Sequence, residues 1–86
     1  MRIDKYLKLT RIIKRRQVSK EIIEYGRVAI NGKVVKPASN VKVGDKLSIN
    51  FSKVLVEVEV LQVDEKIVKF SPDQAYKILS EKANEN

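Results

Sequence analysis

The sequence predicts an α+β fold in which two N-terminal helices pack on a small, mostly antiparallel sheet, with a C-terminal helix added. Three observations predict this class. Apolar residues recur at helical spacing between Ile3 and Tyr25, and the period changes to two residues after Gly26. Residues 71–74 then combine a cap hydroxyl, a proline and a polar capping-box partner, a pattern typical of a helix start. With 86 residues, the chain is expected to form a single domain.

Both N-terminal helices are predicted to be amphipathic. The first is predicted over residues 3–13, because apolar side chains recur on one side of this segment and charged ones on the other. The second is shorter and has Val18, Ile22 and Tyr25 on its apolar side. Gly26 is expected to end it in the left-handed conformation, which meets no steric penalty when there is no Cβ.

Alternating apolar residues predict the strands. Asn31 and Gly32 separate two alternating runs, and this pair favours the tight turn of a β-hairpin, which needs positive φ at both positions. Further strands are predicted over residues 46–51 and 54–61. Residues 64–66 are interpreted as a turn into a short strand over residues 67–70. The last helix is expected to follow and to hold Ala75, Ile78 and Leu79.

Positive charge is concentrated in residues 2–36. This stretch holds eleven of the 18 lysines and arginines against three acids, whereas the rest of the chain holds seven lysines and eight acids. A clustered field of one sign attracts and steers a partner of the opposite sign. The split, with a net charge of +7, predicts one half that faces a polyanion and a nearly neutral half that supports it. RNA is the expected partner.

Several kinds of site are excluded by what the sequence lacks. The chain has no cysteine and no histidine, so it can form neither a disulfide nor a thiolate metal site. It also lacks the commonest metal ligand and general base, and no metal, cofactor or catalytic group is expected. The start of the chain is not an apolar secretion signal, and no apolar run approaches the ~20 residues that span a bilayer. A cytoplasmic protein with no membrane partner is expected.

Three successive strings, RIDKYLK, IKRR and KEIIEYGRVAINGKVVKPASNVKVGDKLSI, resemble the RNA-binding domain first described in ribosomal protein S4, the alpha-L motif. The length, the start at Met1 and the segment beyond Phe51 are similar to those of a family of small bacterial proteins, RqcP (YabO), relatives of the fifteen-kilodalton heat shock protein. By this resemblance the single domain has an RNA-binding core over residues 1–51, an extension of a β-hairpin and a C-terminal helix over residues 52–82, and a tail over residues 83–86.

The resemblance implies a non-enzymatic RNA-binding protein of ribosome-associated quality control. Members of the family bind ribosomal RNA and the P-site peptidyl-tRNA on obstructed large (50S) ribosomal subunits. There they support RqcH, which extends the stalled nascent chain with a C-terminal, alanine-rich tail. The partners implied for this chain are therefore large-subunit rRNA, P-site tRNA, the 50S subunit and RqcH. The chain is expected to be a monomer.

The predicted RNA-binding residues lie in the two helices, the turn between them and the loop after the hairpin. Arg2, Asp4 and Arg16 match positions of the family motif. Arg16 is expected to be a stronger anchor than the lysines, because the planar guanidinium group can hold a phosphate with two hydrogen bonds. Gln17 stands where many relatives have serine, so a weaker helix cap is expected there. The complete predicted set is Arg2, Asp4, Lys5, Lys8, Arg11, Lys14, Arg15, Arg16, Lys20 and Lys36.

These residues also have structural interpretations. The cations of the first helix could form an ordinary solvated face, and Arg15 or Arg16 could pair with Glu21 or Glu24. Asp4 could hold a neighbouring arginine at the helix start or contact a base or ribose hydroxyl, and the sequence leaves both open.

Four other residues are interpreted as structural. Tyr6 and Tyr25 lie on apolar helical sides and are expected in the core rather than stacked on bases. Glu57 and Glu59 alternate along a strand. They are expected to form a solvated face that keeps its side of the protein away from RNA.

Other functions remain open at this stage. The nearest is a heat-shock-type factor that recycles blocked 50S subunits, and co-purification of RqcH would separate it from the quality-control function. Another rRNA-binding or ribosome assembly protein is a further alternative. The domain also accompanies pseudouridine synthases, although the sequence shows no catalytic domain. A DNA-binding or membrane-surface protein would be revealed by competition against structured RNA.

Overall fold

The computed structural model describes residues 1–13 and 16–84, with the backbone alone for residues 16 and 17. The predicted fold class is confirmed, because two N-terminal helices and a third helix accompany one antiparallel sheet. No helix in these ranges is long and apolar enough to cross a bilayer. In chain order the elements are α1 (Ile3–Leu9), α2 (Arg16–Glu24), β1 (Val28–Ile30), β2 (Lys33–Val34), β3 (Lys46–Asn50), β4 (Val54–Val60), α3 (Glu65–Phe70), a 3₁₀ turn (Pro72–Gln74) and β5 (Tyr76–Ala83).

The five strands form one sheet in the order β2-β1-β3-β4-β5, and every neighbouring pair is antiparallel. Asn31 and Gly32 join β1 to β2 with φ values of 51° and 84°, so the predicted hairpin is confirmed. Apolar side chains of the helices and of one side of the sheet form a single core. Its members are Ile3, Tyr6, Leu7, Ile13, Ile23, Val28, Val41, Leu47, Ile49, Val58, Val60, Val68 and Ala75.

Tyr6 links α1 to the C-terminal part of the chain. Its side chain is buried, as predicted, and its hydroxyl donates a hydrogen bond of 2.7 Å to the carbonyl oxygen of Ala75. Burial raises the pKa of the Tyr6 phenol well above its ordinary value, and the nearby Tyr76 raises it further. The first helix is therefore attached to a segment that comes much later in the sequence.

α1 ends at Leu9, earlier than the predicted end at residue 13. The Thr10 hydroxyl donates to the carbonyl oxygen of Tyr6, one turn back, and this side-chain hydrogen bond offers the backbone an alternative to a longer helix. Arg11 then adopts a left-handed conformation with φ of 60°. This turn brings Ile13 back into the core.

Gly26 ends α2 as predicted, with φ of 75° and the hydrogen bonds of a Schellman motif. The predicted buried side of this helix is confirmed for Ile22, which packs against the core, and is wrong for the other two residues. Tyr25 is 78% exposed and Val18 is also exposed, whereas Ser19 and Ile23 are buried. The small Ser19 side chain lets α2 approach α1 closely, and this packing decides which side turns inward.

The segment predicted as a short strand over residues 67–70 is part of helix α3. The Asp64 side chain accepts hydrogen bonds from the backbone N–H groups of Lys66 and Ile67, and Glu65 lies in the first turn. Asp64 is thus an N-cap, although the sequence indicated a turn there. Only Val68 of this helix is buried, so the apolar residues around it do not form a strand face.

The predicted C-terminal helix after residue 71 is also wrong. Residues 72–74 form one 3₁₀ turn, and the chain then continues as β5, which pairs with the whole length of β4. Without this partner, the exposed edge of β4 would leave its backbone groups unpaired, and sheet pairing outweighs the local helix signal. Ala83 pairs with Val54 as the last residue of β5, and the Asn84 amide donates to the Asn50 side-chain oxygen and to the Ser52 carbonyl oxygen, so both residues are attached to the sheet rather than part of a tail. Residues 85 and 86 lie outside the described range.

Candidate nucleic-acid interface

The solvent side of α1 carries a row of cations. Arg2, Lys5 and Lys8 are exposed and recur every three residues, so they lie along one side of α1 from its N-cap to its last turn. The opposite side is buried through Ile3, Tyr6, Leu7 and Thr10. The helix therefore separates its charge from the core, as an interface with a polyanion requires.

Arg2 and Asp4 form a two-point ion pair at the start of α1. The Arg2 Nε and one terminal nitrogen donate to the two Asp4 carboxylate oxygens at 3.2 and 3.0 Å. The Asp4 carboxylate also accepts from the Lys5 backbone N–H at 2.8 Å. The Asp4 side chain is only 9% exposed, whereas that of Arg2 is 55% exposed. Asp4 is thus placed beneath Arg2 and fixes its orientation, which favours the first of the two interpretations that the sequence left open.

Lys36 lies beside the same end of α1. The loop after β2 holds the helix start through the Ser39 carbonyl oxygen, which accepts from the Ile3 N–H at 2.7 Å, and through Pro37, which accepts from the Asp4 N–H at 3.4 Å. Lys36 is exposed at the beginning of this loop. Two predicted residues that are far apart in sequence, Arg2 and Lys36, therefore belong to neighbouring segments.

α2 is attached to α1 through Ser19, whose hydroxyl donates to the Asp4 carbonyl oxygen at 3.3 Å. Lys20 follows Ser19 and is exposed. α2 begins at Arg16, but the side chain of Arg16 and the residues Lys14 and Arg15 lie outside the described part of the structure. The sites predicted at those three positions remain predictions. The predicted cap at Gln17 is wrong, because Gln17 is the second residue of α2.

Lys5 differs from its neighbours because it is paired with an acid. Its ammonium group forms an ion pair with Glu65 on α3. The hydrogen bond and charge of Lys5 lower the pKa of the Glu65 carboxyl, and Lys69 lowers it further by a smaller amount. Lys5 therefore connects α1 to α3 and presents less free positive charge than the sequence indicated.

Arg11 occupies a position where glycine is usually found. It follows the C-cap of α1 with φ of 60°, in the left-handed region where a side chain is disfavoured. A non-glycine residue kept in such a conformation is often retained for its side chain. Arg11 is exposed and lies at the end of the row formed by Arg2, Lys5 and Lys8.

Neither Lys69 nor Phe70 was predicted from the sequence as a binding residue. Lys69 lines a cleft together with Lys8 and Arg11, although it comes from the nearly neutral part of the chain. The signal that could have found it was the Asp64 cap, because a helix that starts there places Lys69 one turn after Glu65.

The outer side of the sheet has a mixed charge. Glu59 is paired in register with Lys46 on β3 and with Lys77 on β5, and Glu57 with Ser48 and Ser80. Glu57 and Glu59 are half-buried between these neighbours, so this face is less solvated than predicted. Within residues 1–13 and 16–84, no cluster of acidic side chains could hold a metal ion.

Comparison with known proteins matches residues 1–47 to the S4 domain family. A protein of Listeria innocua, described as an RQC P-site tRNA stabilizing factor, is 47% identical over 81 residues, which cover 94% of this chain and 88% of that protein. A protein of Bacillus subtilis with the same description is 43% identical over 81 residues, with 94% of each chain covered. Among solved structures, heat shock protein 15 of Vibrio cholerae superimposes with a TM-score of 0.80 at 22% identity, covering 93% of this chain and 82% of that one.

Proposed function

The chain belongs to the family of RQC P-site tRNA stabilizing factors, the RqcP family, and from this premise we propose that it holds tRNA in the P site of obstructed large ribosomal subunits during ribosome-associated quality control. The family is non-enzymatic, so the contribution of this chain is binding rather than chemistry. A bound factor of this kind acts by lowering the free energy of the state in which the tRNA stays in place.

The observation that supports this function is the row of cations on the solvent side of α1. Arg2 is held in place by Asp4, Lys8 and Arg11 have no acidic partner among the described residues, and Lys36 extends the row at the helix start. Contacts of lysine and arginine with phosphates supply affinity and set register, whereas the shape of a folded RNA supplies most of the selectivity.

A factor that stabilises tRNA on a ribosomal subunit needs contacts with both RNAs. We therefore propose large-subunit rRNA as the second RNA ligand. The cations on α1, on α2 at Lys20 and in the loop at Lys36 spread charge over more than one segment, which suits two nucleic-acid contacts. The proposed protein partner is RqcH, with template-free alanine tailing as the process supported. The proposed working form is a monomer in the cytoplasm.

The test is a pull-down of the tagged protein from cells, with sequencing of the bound RNA and identification of the bound proteins. Large-subunit rRNA, tRNA and RqcH are expected together. Recovery of 50S subunits without RqcH would instead support a recycling factor of the heat-shock type. Recovery of neither rRNA nor tRNA would contradict the proposed function.

Two substitutions give this experiment an internal comparison. Arg16→Ala is expected to reduce co-sedimentation with 50S subunits without changing the thermal denaturation midpoint. Lys77→Ala removes the same charge from the far edge of the sheet and is the matched control. Equal co-sedimentation of Arg16→Ala and the wild-type protein would dismiss Arg16 as an anchor.

A further inference from the structure

A cleft of about 480 Å³ lies between the end of α1 and helix α3, lined by Lys8, Leu9, Arg11 and Lys69. This volume is within the range of sites that bind small organic ligands. Of the lining residues that the structure describes, Lys8, Arg11 and Lys69 are cations, and none of the three has an acidic partner within ion-pair distance among the described residues. Like charges placed together repel each other, so an anion in the cleft would relieve the repulsion.

The helix geometry explains why these cations meet. The ion pair between Lys5 and Glu65 holds α1 against α3. Lys8 lies one turn beyond Lys5, and Lys69 lies one turn beyond Glu65, so each shares the side of its helix that carries the ion pair. The favourable pair thus brings an unpaired lysine of each helix to the same cleft.

Phe70 does not line the cleft itself, but it follows the lining residue Lys69 and offers an aromatic surface beside it. It is the last residue of α3, it is 77% exposed, and the Lys69 ammonium group lies 5.7 Å from the centre of its ring. Core packing does not explain this side chain, because Val68 is the only residue of α3 that is buried. An exposed aromatic ring beside several cations is the combination with which proteins bind unpaired nucleotides: the ring stacks on a base, and the cations hold the phosphates.

We propose that this cleft binds one unpaired nucleotide of a structured RNA, with the base stacked on Phe70 and the adjoining phosphate held by Lys8, Arg11 and Lys69. The proposal rests on the RNA-binding function above and deepens it, because the row of cations on α1 recognises backbone whereas this site distinguishes an unpaired base from a paired one. The α3 helix, which lies outside the S4 domain match, thereby becomes part of the interface.

The test compares two RNA hairpins that differ only by a single bulged nucleotide, using fluorescence anisotropy. The wild-type protein is expected to bind the bulged hairpin more tightly, by roughly fivefold or more, since stacking of one base contributes at least this much. Phe70→Ala is expected to lose this preference and to retain the wild-type affinity for the paired hairpin. Lys69→Ala is expected to weaken binding of the bulged hairpin, and Lys66→Ala, which removes the same charge from an exposed position outside the cleft, is the matched control.

A direct signal for stacking comes from Phe70→Trp. The chain has no tryptophan, so this variant carries a single indole at the proposed contact. Its fluorescence is expected to be quenched by the bulged hairpin and much less by the paired one. Absence of quenching with both RNAs, while both bind, would overturn the proposal.

Three results would contradict this site or the function on which it rests. If the wild-type protein and Phe70→Ala bind both hairpins equally, the cleft does not recognise an unpaired base. If Phe70→Ala keeps the preference for the bulged hairpin but no longer co-purifies with RqcH, Phe70 contacts protein and the RNA proposal is wrong. Failure of the wild-type protein to bind either hairpin would contradict RNA binding itself, which distinguishes failure of the proposed function from failure of this site.

Discussion

The carboxylate of Asp4 lies within a surface proposed to bind a polyanion, where its own charge is unfavourable. It accepts two hydrogen bonds from Arg2 and one from the Lys5 backbone, and little of it reaches solvent. Its contribution is therefore to hold the Arg2 guanidinium group in one orientation, which reduces the side-chain entropy lost when Arg2 binds phosphate.

Asp4→Asn distinguishes this orienting contribution from simple charge. The substitution makes the chain more positive, so electrostatic attraction alone predicts tighter RNA binding. Loss of the ion pair to Arg2 instead predicts weaker RNA binding. We expect this second effect to be the larger one, with a net loss of about 1 kcal/mol of binding free energy. Affinities for structured RNA would be measured for Asp4→Asn, Arg2→Ala and the double variant.

The double variant is expected to bind RNA no more weakly than Arg2→Ala alone, because Asp4 acts through Arg2. Strictly additive losses would show that Asp4 contacts RNA independently.

Tyr6→Phe tests the link between α1 and the C-terminal segment. Loss of the hydrogen bond to Ala75 is expected to lower the free energy of unfolding by about 1 kcal/mol at neutral pH. Because the pKa of Tyr6 is raised in the folded state, the stabilisation that Tyr6 gives the folded protein is fully present below the ordinary pKa of 10.0 and is lost as pH rises above that value. Urea denaturation at pH 8 and pH 10.5 would measure both effects.

The comparison is between the two proteins at each pH, since other groups titrate equally in both. The wild-type protein is expected to lose more stability than Tyr6→Phe on going to pH 10.5. An equal loss in the two proteins would mean that Tyr6 ionises in the folded state as freely as in the unfolded one.

At the scale of elements, the turn that follows α1 depends on the left-handed conformation of Arg11. The left-handed conformation costs a side chain about 1 kcal/mol relative to glycine, so Arg11→Gly is expected to raise the free energy of unfolding by about that amount. The same variant is expected to bind RNA more weakly, because it removes a cation from the interface. Arg11→Lys keeps the charge and the strained backbone, and should leave both properties near those of the wild-type protein. If Arg11→Gly is more stable than the wild-type protein and binds RNA with the same affinity, Arg11 is not part of the interface.

The contact between α1 and α3 is expected to depend on pH through Glu65. The Lys5 ammonium group lowers the Glu65 pKa below its ordinary value of 4.5, so the ion pair is fully formed above that pH and is lost as pH falls through the lower folded-state value. The denaturation midpoint of the wild-type protein should exceed that of Glu65→Gln at pH 7, and the difference should disappear near pH 3. Asp73→Asn, at an exposed acid of the 3₁₀ turn, is the control. If the difference in denaturation midpoint between the wild-type protein and Glu65→Gln persists unchanged to pH 3, the ion pair does not account for it.

Elements with local signals could be predicted from the sequence, and elements formed by distant contacts could not. The end of α2 at Gly26 and the hairpin at Asn31 and Gly32 depend on backbone conformations that a few neighbouring residues determine. β5 exists because β4, many residues earlier, offers an unpaired edge, and no local pattern reports this. α3 had a local signal in Asp64, which was interpreted as part of a turn.

The candidate site could be predicted in the same uneven way. The row on α1 follows from helical spacing and charge, and the structure places Arg2, Lys8 and Arg11 at exposed positions. The pairing of Lys5 and the contribution of Lys69 depend on where α3 packs, which the sequence did not show. Exposure of Tyr25 likewise depends on the close approach that Ser19 allows.

At the scale of the whole molecule, binding is expected to depend steeply on salt. Each lysine or arginine that meets a phosphate releases condensed counterions, so about five contacts predict a slope near −4 in a plot of log affinity against log salt concentration. Lys8→Ala should reduce the magnitude of the slope by about 1, and Lys77→Ala should leave it unchanged. The slopes would be measured by filter binding of structured RNA at KCl concentrations between about 50 and about 300 mM. A flat response would contradict an interface built on phosphates.

The hydrogen bond from Tyr6 to Ala75 joins residues that are 69 positions apart, and it has a consequence for biosynthesis. The N-terminal helix leaves the ribosome first, but its partner Ala75, between the 3₁₀ turn and β5, is translated almost at the end. Contacts of such long sequence separation form late, because the loop between them must close first. A nascent copy of this protein therefore completes the proposed RNA-binding surface only when its own translation is nearly finished.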